Sequence, residues 1–284
     1  MLVKTYGSAL QGIDATTVTI EVHVSKGINF HLVGLPDSAV KESQQRIDSA
    51  VRTNGYEMPH RKTVINMAPA DIRKEGAAYD LPLALGIMAA SGQVREEKLK
   101  QYVMMGELSL DGSLQPIRGV LPIAIQARKE GFTGIIVPEK NAREAAVVND
   151  LDVFGAVDLR QVVEFFNDRR ELEKTVVNSR EEFFANLADH ELDFSDVRGQ
   201  QSVKRALEIA AAGMHNILMV GAPGAGKTML ARRLPTIMPP LSLHEALETT
   251  KIHSVAGKMD ALPSPMTQQP LTALQHNASV LALV

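Results

Sequence analysis

The stretch Gly221-Ala222-Pro223-Gly224-Ala225-Gly226-Lys227-Thr228, continued by MLARRLP to Pro235, decides how the second half of this 284-residue chain is read. It fits Gly-x-x-x-x-Gly-Lys-[Ser/Thr], with Gly221, Gly226, Lys227 and Thr228 at the fixed positions. Each residue type serves a phosphate. Glycines allow torsions that turn successive N–H groups inward, and the start of a helix adds its dipole, so phosphate oxygens meet a ring of donors. Lys227 reaches the β- and γ-phosphates, and the Thr228 hydroxyl serves Mg²⁺. The motif needs a strand before it and a helix after it; NILMV, 216–220, reads as the strand and MLARRL as the helix. ATP with Mg²⁺ is therefore the expected ligand of Gly221, Ala222, Pro223, Gly224, Ala225, Gly226, Lys227 and Thr228.

Hydrolysis asks for more. A P-loop ATPase holds Mg²⁺ through an acidic residue on a second apolar strand, usually beside a glutamate that primes water. After Thr228 the acids are Glu245, Glu248 and Asp260. The first two fall in the helix-like SLHEALETT, Asp260 follows GKM, and the last apolar run, SVLALV, carries no carboxylate. A complete catalytic site is not expected from this chain alone.

Working outward, the helix QSVKRALEIAAAG precedes NILMV, and a unit opens at DFSDVRGQ, where Ser195 or Asp196 is a candidate helix cap. Before it, RRELEKTVVNSREEFFANLADH is charge-dense and reads as a linker, 169–190, partly helical. The first 168 residues alternate strand and helix. TTVTIEVHV and GINFHLVGLP read as two strands joined by a turn at Ser25-Lys26-Gly27. A helix capped by Asp37 should bury Ala39, Val40, Ile47, Ala50 and Val51 and stop at Asn54-Gly55. KTVINMAP reads as a strand and AYDLPLALGIMAASG as a buried helix with Pro82 in its first turn. YVMMGEL, TGIIVP and DVFGAV continue as strands, and VLPIAIQARKEG, NAREAAVVND and DLRQVVEFFND as helices. The first stretch reads as an α/β or α+β domain, and the chain is taken as α/β in two domains, 1–168 and 191–284.

Thirty Lys and Arg against 33 Asp and Glu give a net charge of −3, which offers no bulk attraction for nucleic acid. The absence of cysteine removes disulfides and thiolate chemistry and suits a reducing cytosol. No segment has the roughly 18 apolar residues of a membrane span. The histidines lack H-x-x-x-H spacing and read as ordinary side chains. Arg61-Lys62, Arg73-Lys74 and Arg232-Arg233 read as solvated, with Arg73-Lys74 best placed to meet a phosphate because Glu75 and Gly76 make its loop polar and flexible.

GLPDSAVKES (34–43), VINMAPADIRKEGAAYDLPLALG (64–86), GELSLDGSLQPIRGVLPIAI (106–125), DFSDVRGQ, the phosphate loop and KIHSVAGK (251–258) together resemble the magnesium-chelatase-like AAA+ family called ComM or YifB, from Tyr6 to about Lys258. The resemblance implies a ribosomal-S5-domain-2-like N-domain, similar to the Lon protease domain, followed by an AAA+ module that binds ATP and assembles as a ring. It also implies DNA as a partner, since members linked to natural transformation act as helicases. QPLTALQHNASVLALV, Gln269 to Val284, is similar to a family stretch but has Leu274 for a proline, Gln275 for a histidine and Val280 for an aspartate. The family's second acidic motif, sensor and arginine finger are not found, so an incomplete, hydrolysis-deficient AAA+ module is expected. The alternative is a non-catalytic interaction protein. Alignment of KEGAAYD with the Lon pattern puts Ala78 at the nucleophile position and Ile123 at the lysine position, so protease activity is not expected.

Overall fold

A computed structural model describes residues 1–178, 181, 192–239 and 241–259. They fall into two compact units: residues 1–178 with 250–259, and 181 with the remainder up to 249.

The first unit is mixed α/β. Its strands are β1 (Leu2–Gln11), β2 (Asp14–Ser25), β3 (Phe30–Val33), β4 (Lys62–Ala68), β5 (Tyr102–Met104), β6 (Glu107–Leu108), β7 (Leu114–Gln115), β8 (Gly134–Pro138) and β9 (Asp152–Ala156). Seven of them form one sheet in the order β3-β4-β2-β1-β5-β8-β9, and β6 pairs with β7. The β2 pairings with β1 and β4 are antiparallel, and the other four in the large sheet are parallel. Helices α1 (Ser38–Thr53), α2 (Asp80–Ala90), α3 (Val120–Lys129), α4 (Glu139–Ala145) and α5 (Leu159–Phe166) connect them.

Local chemistry explains most of these elements. Asp37 accepts from the Val40 N–H at 2.8 Å and starts α1, which buries Val40, Ser43, Ile47, Ala50 and Val51 and ends at Asn54. Ala39 is only half-buried, and Ser43 takes the place expected for it. Every residue of α2 is buried, so its apolar character runs all round. On β4 the even period places Thr63, Ile65 and Met67 inside.

Two expectations for the first unit change. β2 and β3 do not pair with each other, because β4 lies between them. The chain leaves β3, crosses through α1 and returns parallel to β3, as a helix connection between strands requires. Residues 26–29 therefore bridge two strand spacings, roughly 10 Å, instead of closing a hairpin. Consecutive strands do pair as hairpins at β1–β2, with Gln11 opposite Asp14, and at β6–β7. Part of the expected linker also joins the sheet: the Thr175 N–H donates to the Val153 carbonyl at 2.8 Å, and Lys174 bridges antiparallel to Phe154. Residues 179, 180 and 182–191 lie outside the described residues.

The second unit contains a 3₁₀ turn at Phe194–Asp196, α6 (Gln201–Ala212), α7 (Lys227–Arg233), a 3₁₀ turn at Leu234–Ile237, and the first turns of α8 (Leu243–Val255). Phe194, Val197, Leu207, Ala211, Leu230 and Leu234 make its core. NILMV is not a strand here. Met219 packs partly against that core, whereas Leu218 and Val220 are 87% and 88% exposed. A parallel central strand needs a neighbour on each side, and no described residue of this unit forms one.

Candidate functional site

Gly221 to Gly226 form one continuous turn, and Lys227 and Thr228 open α7. Gly224 (φ 80°) and Gly226 (φ 83°) occupy the left-handed region, which side chains other than glycine rarely enter. Gly226 sits at the N-cap of α7, and its carbonyl accepts from the Leu230 N–H at 2.9 Å. The Ala225 N–H donates to the Ala222 carbonyl at 3.3 Å, closing the loop at Pro223 and Gly224. The Lys227 ammonium folds back over this turn and donates to the carbonyls of Gly221 and Ala222, each at 2.8 Å. Leu230 anchors α7 in the core, while Thr228 and residues 221–225 face outward. A lysine, a hydroxyl and a glycine-shaped backbone turn thus meet at one exposed place. That donor set fits phosphate and a hard divalent cation.

Arg233 holds the flanking segment. Its guanidinium donates to the Asp196 carboxylate at 3.1 Å and 3.2 Å and to the Asp193 carbonyl at 3.1 Å. The Phe194 N–H donates to Thr236 Oγ1, so DFSD is tied to the 3₁₀ turn that follows α7. The cap of the first turn is Asp193, in a reciprocal capping box with Asp196, and α6 starts after Gln200. Ser195 and Asp196 therefore do not act as the expected cap.

Sequence reasoning missed the buried polar cluster of the first unit. The Glu144 carboxylate accepts from the Leu121 N–H at 3.0 Å and the Ser254 hydroxyl at 2.5 Å, and Asn141 Nδ2 donates to it at 3.3 Å. The Gly119 N–H donates to the Ser254 carbonyl at 3.0 Å. KIHSVAGK thus completes the first unit, although it follows the phosphate loop in sequence. Burial raises the Glu144 pKa against the opposing effect of its donors. A second buried carboxylate, Asp80, receives Arg46 as a fork, Nε at 2.7 Å and Nη2 at 3.0 Å.

Lys74 also departs from expectation. It is fully buried and donates to the Pro69 carbonyl, so only Arg73 of that pair faces solvent, where it pairs with Glu75. Ala78 lies in a 3₁₀ turn and Ile123 is buried in α3. Among the described residues no group of His, Asp and Glu side chains gathers as a metal site. The altered stretch 269–284 lies outside the described residues.

An α/β chain carrying a glycine-lysine-threonine phosphate-type loop is the class these features define. Residues 20–141 match the family profile described as subunit ChlI of Mg-chelatase, and residues 193–284 the profile described as magnesium chelatase, subunit ChlI. The chain is 42% identical over 98% of its length to competence protein ComM of Haemophilus influenzae, covering 55% of that protein. It is 42% identical over 97% of its length to YifB of Salmonella typhimurium, covering 53% of that protein. The chain belongs to the ComM/YifB family of magnesium-chelatase-like proteins. It spans about half the length of these relatives. A more distant likeness, 27% identity over 56% of the chain, is to the Lon protease of Mycolicibacterium smegmatis, of which it covers 21%.

Proposed function

We propose that this chain binds ATP with Mg²⁺ through Gly221, Ala222, Pro223, Gly224, Ala225, Gly226, Lys227 and Thr228 and does not turn it over by itself. The observation that carries this reading is the Lys227 ammonium held over the mouth of the loop by the Gly221 and Ala222 carbonyls. Nucleotide phosphates would exchange those two carbonyls for stronger, charge-assisted partners. Thr228 would hold Mg²⁺, which neutralises the β- and γ-phosphates when bound. Beyond Thr228, Glu245 accepts from the Ser242 N–H and hydroxyl as a cap of α8, and Glu248 lies on the same helix. Neither stands at the end of an apolar strand.

In the same reading the first domain, 1–168, has the S5-domain-2-like fold of the Lon protease domain, followed by linker 169–190 and an AAA+ module, 191–284. The protein works in the cytosol. Ring assembly and action on DNA belong to the longer family members. A non-catalytic interaction protein is the second reading, favoured by the exposed Leu218 and Val220 side chains.

Titration of the purified chain with a fluorescent ATP analogue tests the first reading. Lys227→Ala should weaken binding about 10- to 100-fold, the range for a hydrogen bond to a charged group, while ATP turnover stays at background. Binding indifferent to Lys227→Ala sinks the assigned site. Turnover by the pure chain refutes hydrolysis deficiency, and no binding at all favours the interaction reading.

A further inference from the structure

We propose that the outer edge of β3 docks an extended, acidic polypeptide segment, which adds to the sheet as a further strand. The two ends of the sheet are treated differently. At β9 residues 174–175 lie along the edge, whereas no described residue pairs with the outer side of β3. Edge strands are ordinarily blunted by lysine, proline or bulges. Phe30-His31-Leu32-Val33 carries neither lysine nor proline.

Apolar side chains surround this edge. Ile28 is 91% exposed, Val33 48% and Leu35 56%. The strand's exit is held firmly. Leu35 lies at φ 55°, an uncommon conformation for a residue with a side chain. Its carbonyl accepts from the Lys74 N–H at 3.2 Å, the Asp37 N–H donates to the Lys74 carbonyl at 3.0 Å, and Asp37 Oδ2 accepts from the Gly76 N–H at 3.0 Å. At Gly34 (φ 106°) a Cβ would fall 2.1 Å from the Met67 carbonyl oxygen, so β3 leaves the sheet pressed against β4. Such a fixed edge loses little freedom when a partner strand pairs with it.

Charge identifies the partner. Residues 22–36 and 58–70 contain no Asp or Glu, yet they carry Lys26, Arg61 and Lys62 with His23, His31 and His60, in a chain of net charge −3. Lys62 adjoins Gly27, and the Thr63 N–H donates to the Asn29 carbonyl at 2.8 Å, so this basic rim borders β3. An anionic partner is attracted. A single-stranded nucleic acid would need aromatic faces on which to stack, and Phe30, half-buried, is the one aromatic residue in these two segments. A peptide suits unpaired backbone groups flanked by apolar side chains, because main-chain pairing supplies affinity and alternate side chains supply specificity.

Fluorescence anisotropy of the full chain with an alternating Glu-Val peptide tests the proposal, alongside the same peptide N-methylated at alternate residues. N-methylation keeps the charge and removes the strand-pairing donors. It should weaken binding at least about tenfold, as should Ile28→Ser with Val33→Ser, or Arg61→Glu. Oligothymidylate should fail to displace the peptide. Equal binding of the methylated peptide overturns the proposal, as does displacement by oligothymidylate or no measurable binding. Concentration-dependent self-association that Val33→Ser abolishes and the peptide does not disturb would overturn it too, by giving the edge to a second copy. The methylated and unmethylated peptides are compared on the unaltered protein, so the test survives any variant that fails to fold.

Discussion

The Glu144 carboxylate, carried by α4, takes hydrogen bonds from the Leu121 N–H in the first turn of α3 and from the Ser254 hydroxyl while burial raises its pKa. Replacing Ser254 by Ala leaves this buried group one donor short, which should cost about 1–3 kcal/mol in urea unfolding. The folded protein holds the Glu144 proton more tightly than the unfolded chain. Stability from this group is therefore fully present below the ordinary value of 4.5 and is lost as pH rises through the raised folded value. Relative to Glu144→Gln, the native chain should lose stability with rising pH across that window, read from urea midpoints; a gain with rising pH would contradict the assignment. The cluster could not be read from the sequence, since Glu144 and Ser254 are 110 residues apart and each looks locally like an ordinary helical polar residue.

Helices α1 and α2 meet through Arg46 and Asp80, and Asp80 also accepts from the Leu108 N–H at 3.2 Å. Arg46→Met would remove the cation that pairs with a fully buried carboxylate and should destabilise by about 3–5 kcal/mol, measured by denaturant titration. The double variant with Asp80→Leu should recover much of that loss. A single variant within experimental error of the native protein would refute this account. The limits of α1 were legible because Asp37 and Asn54-Gly55 act locally, and β4 was legible from its alternation. The position of β4 between β2 and β3 was not, because local period carries no information about which strand lies beside which. Lys74 was misread for a related reason. Its neighbours are polar, yet backbone bonds to Leu35 and Asp37 draw it inward, where the Pro69 carbonyl meets its ammonium. The turn at 223–226 and the helix after it were legible because their residues are consecutive, whereas the strand expected at NILMV does not form.

On the scale of the molecule, the first unit is assembled from two separate stretches, 1–178 and 250–259. The Gly119 amide should exchange hydrogen faster in a fragment ending at residue 178 than in the full chain, because Ser254 supplies its acceptor. The fragment's thermal midpoint should also fall. Equal protection in fragment and full chain would show that 250–259 contributes nothing to that unit.

The same arrangement sets a timetable during synthesis. Helix α3 and Glu144 of α4 emerge from the ribosome well before Ser254 exists, and the seal between Glu144 and Ser254 closes across a separation of 110 residues. Closing a fully flexible loop of that length costs on the order of 4 kcal/mol in chain entropy. Prior folding of the phosphate-loop unit would shorten the effective loop and lower that cost. Folding of the second unit should therefore make that closure easier, and nascent-chain proteolysis should find α3 vulnerable until KIHSVAGK has been made.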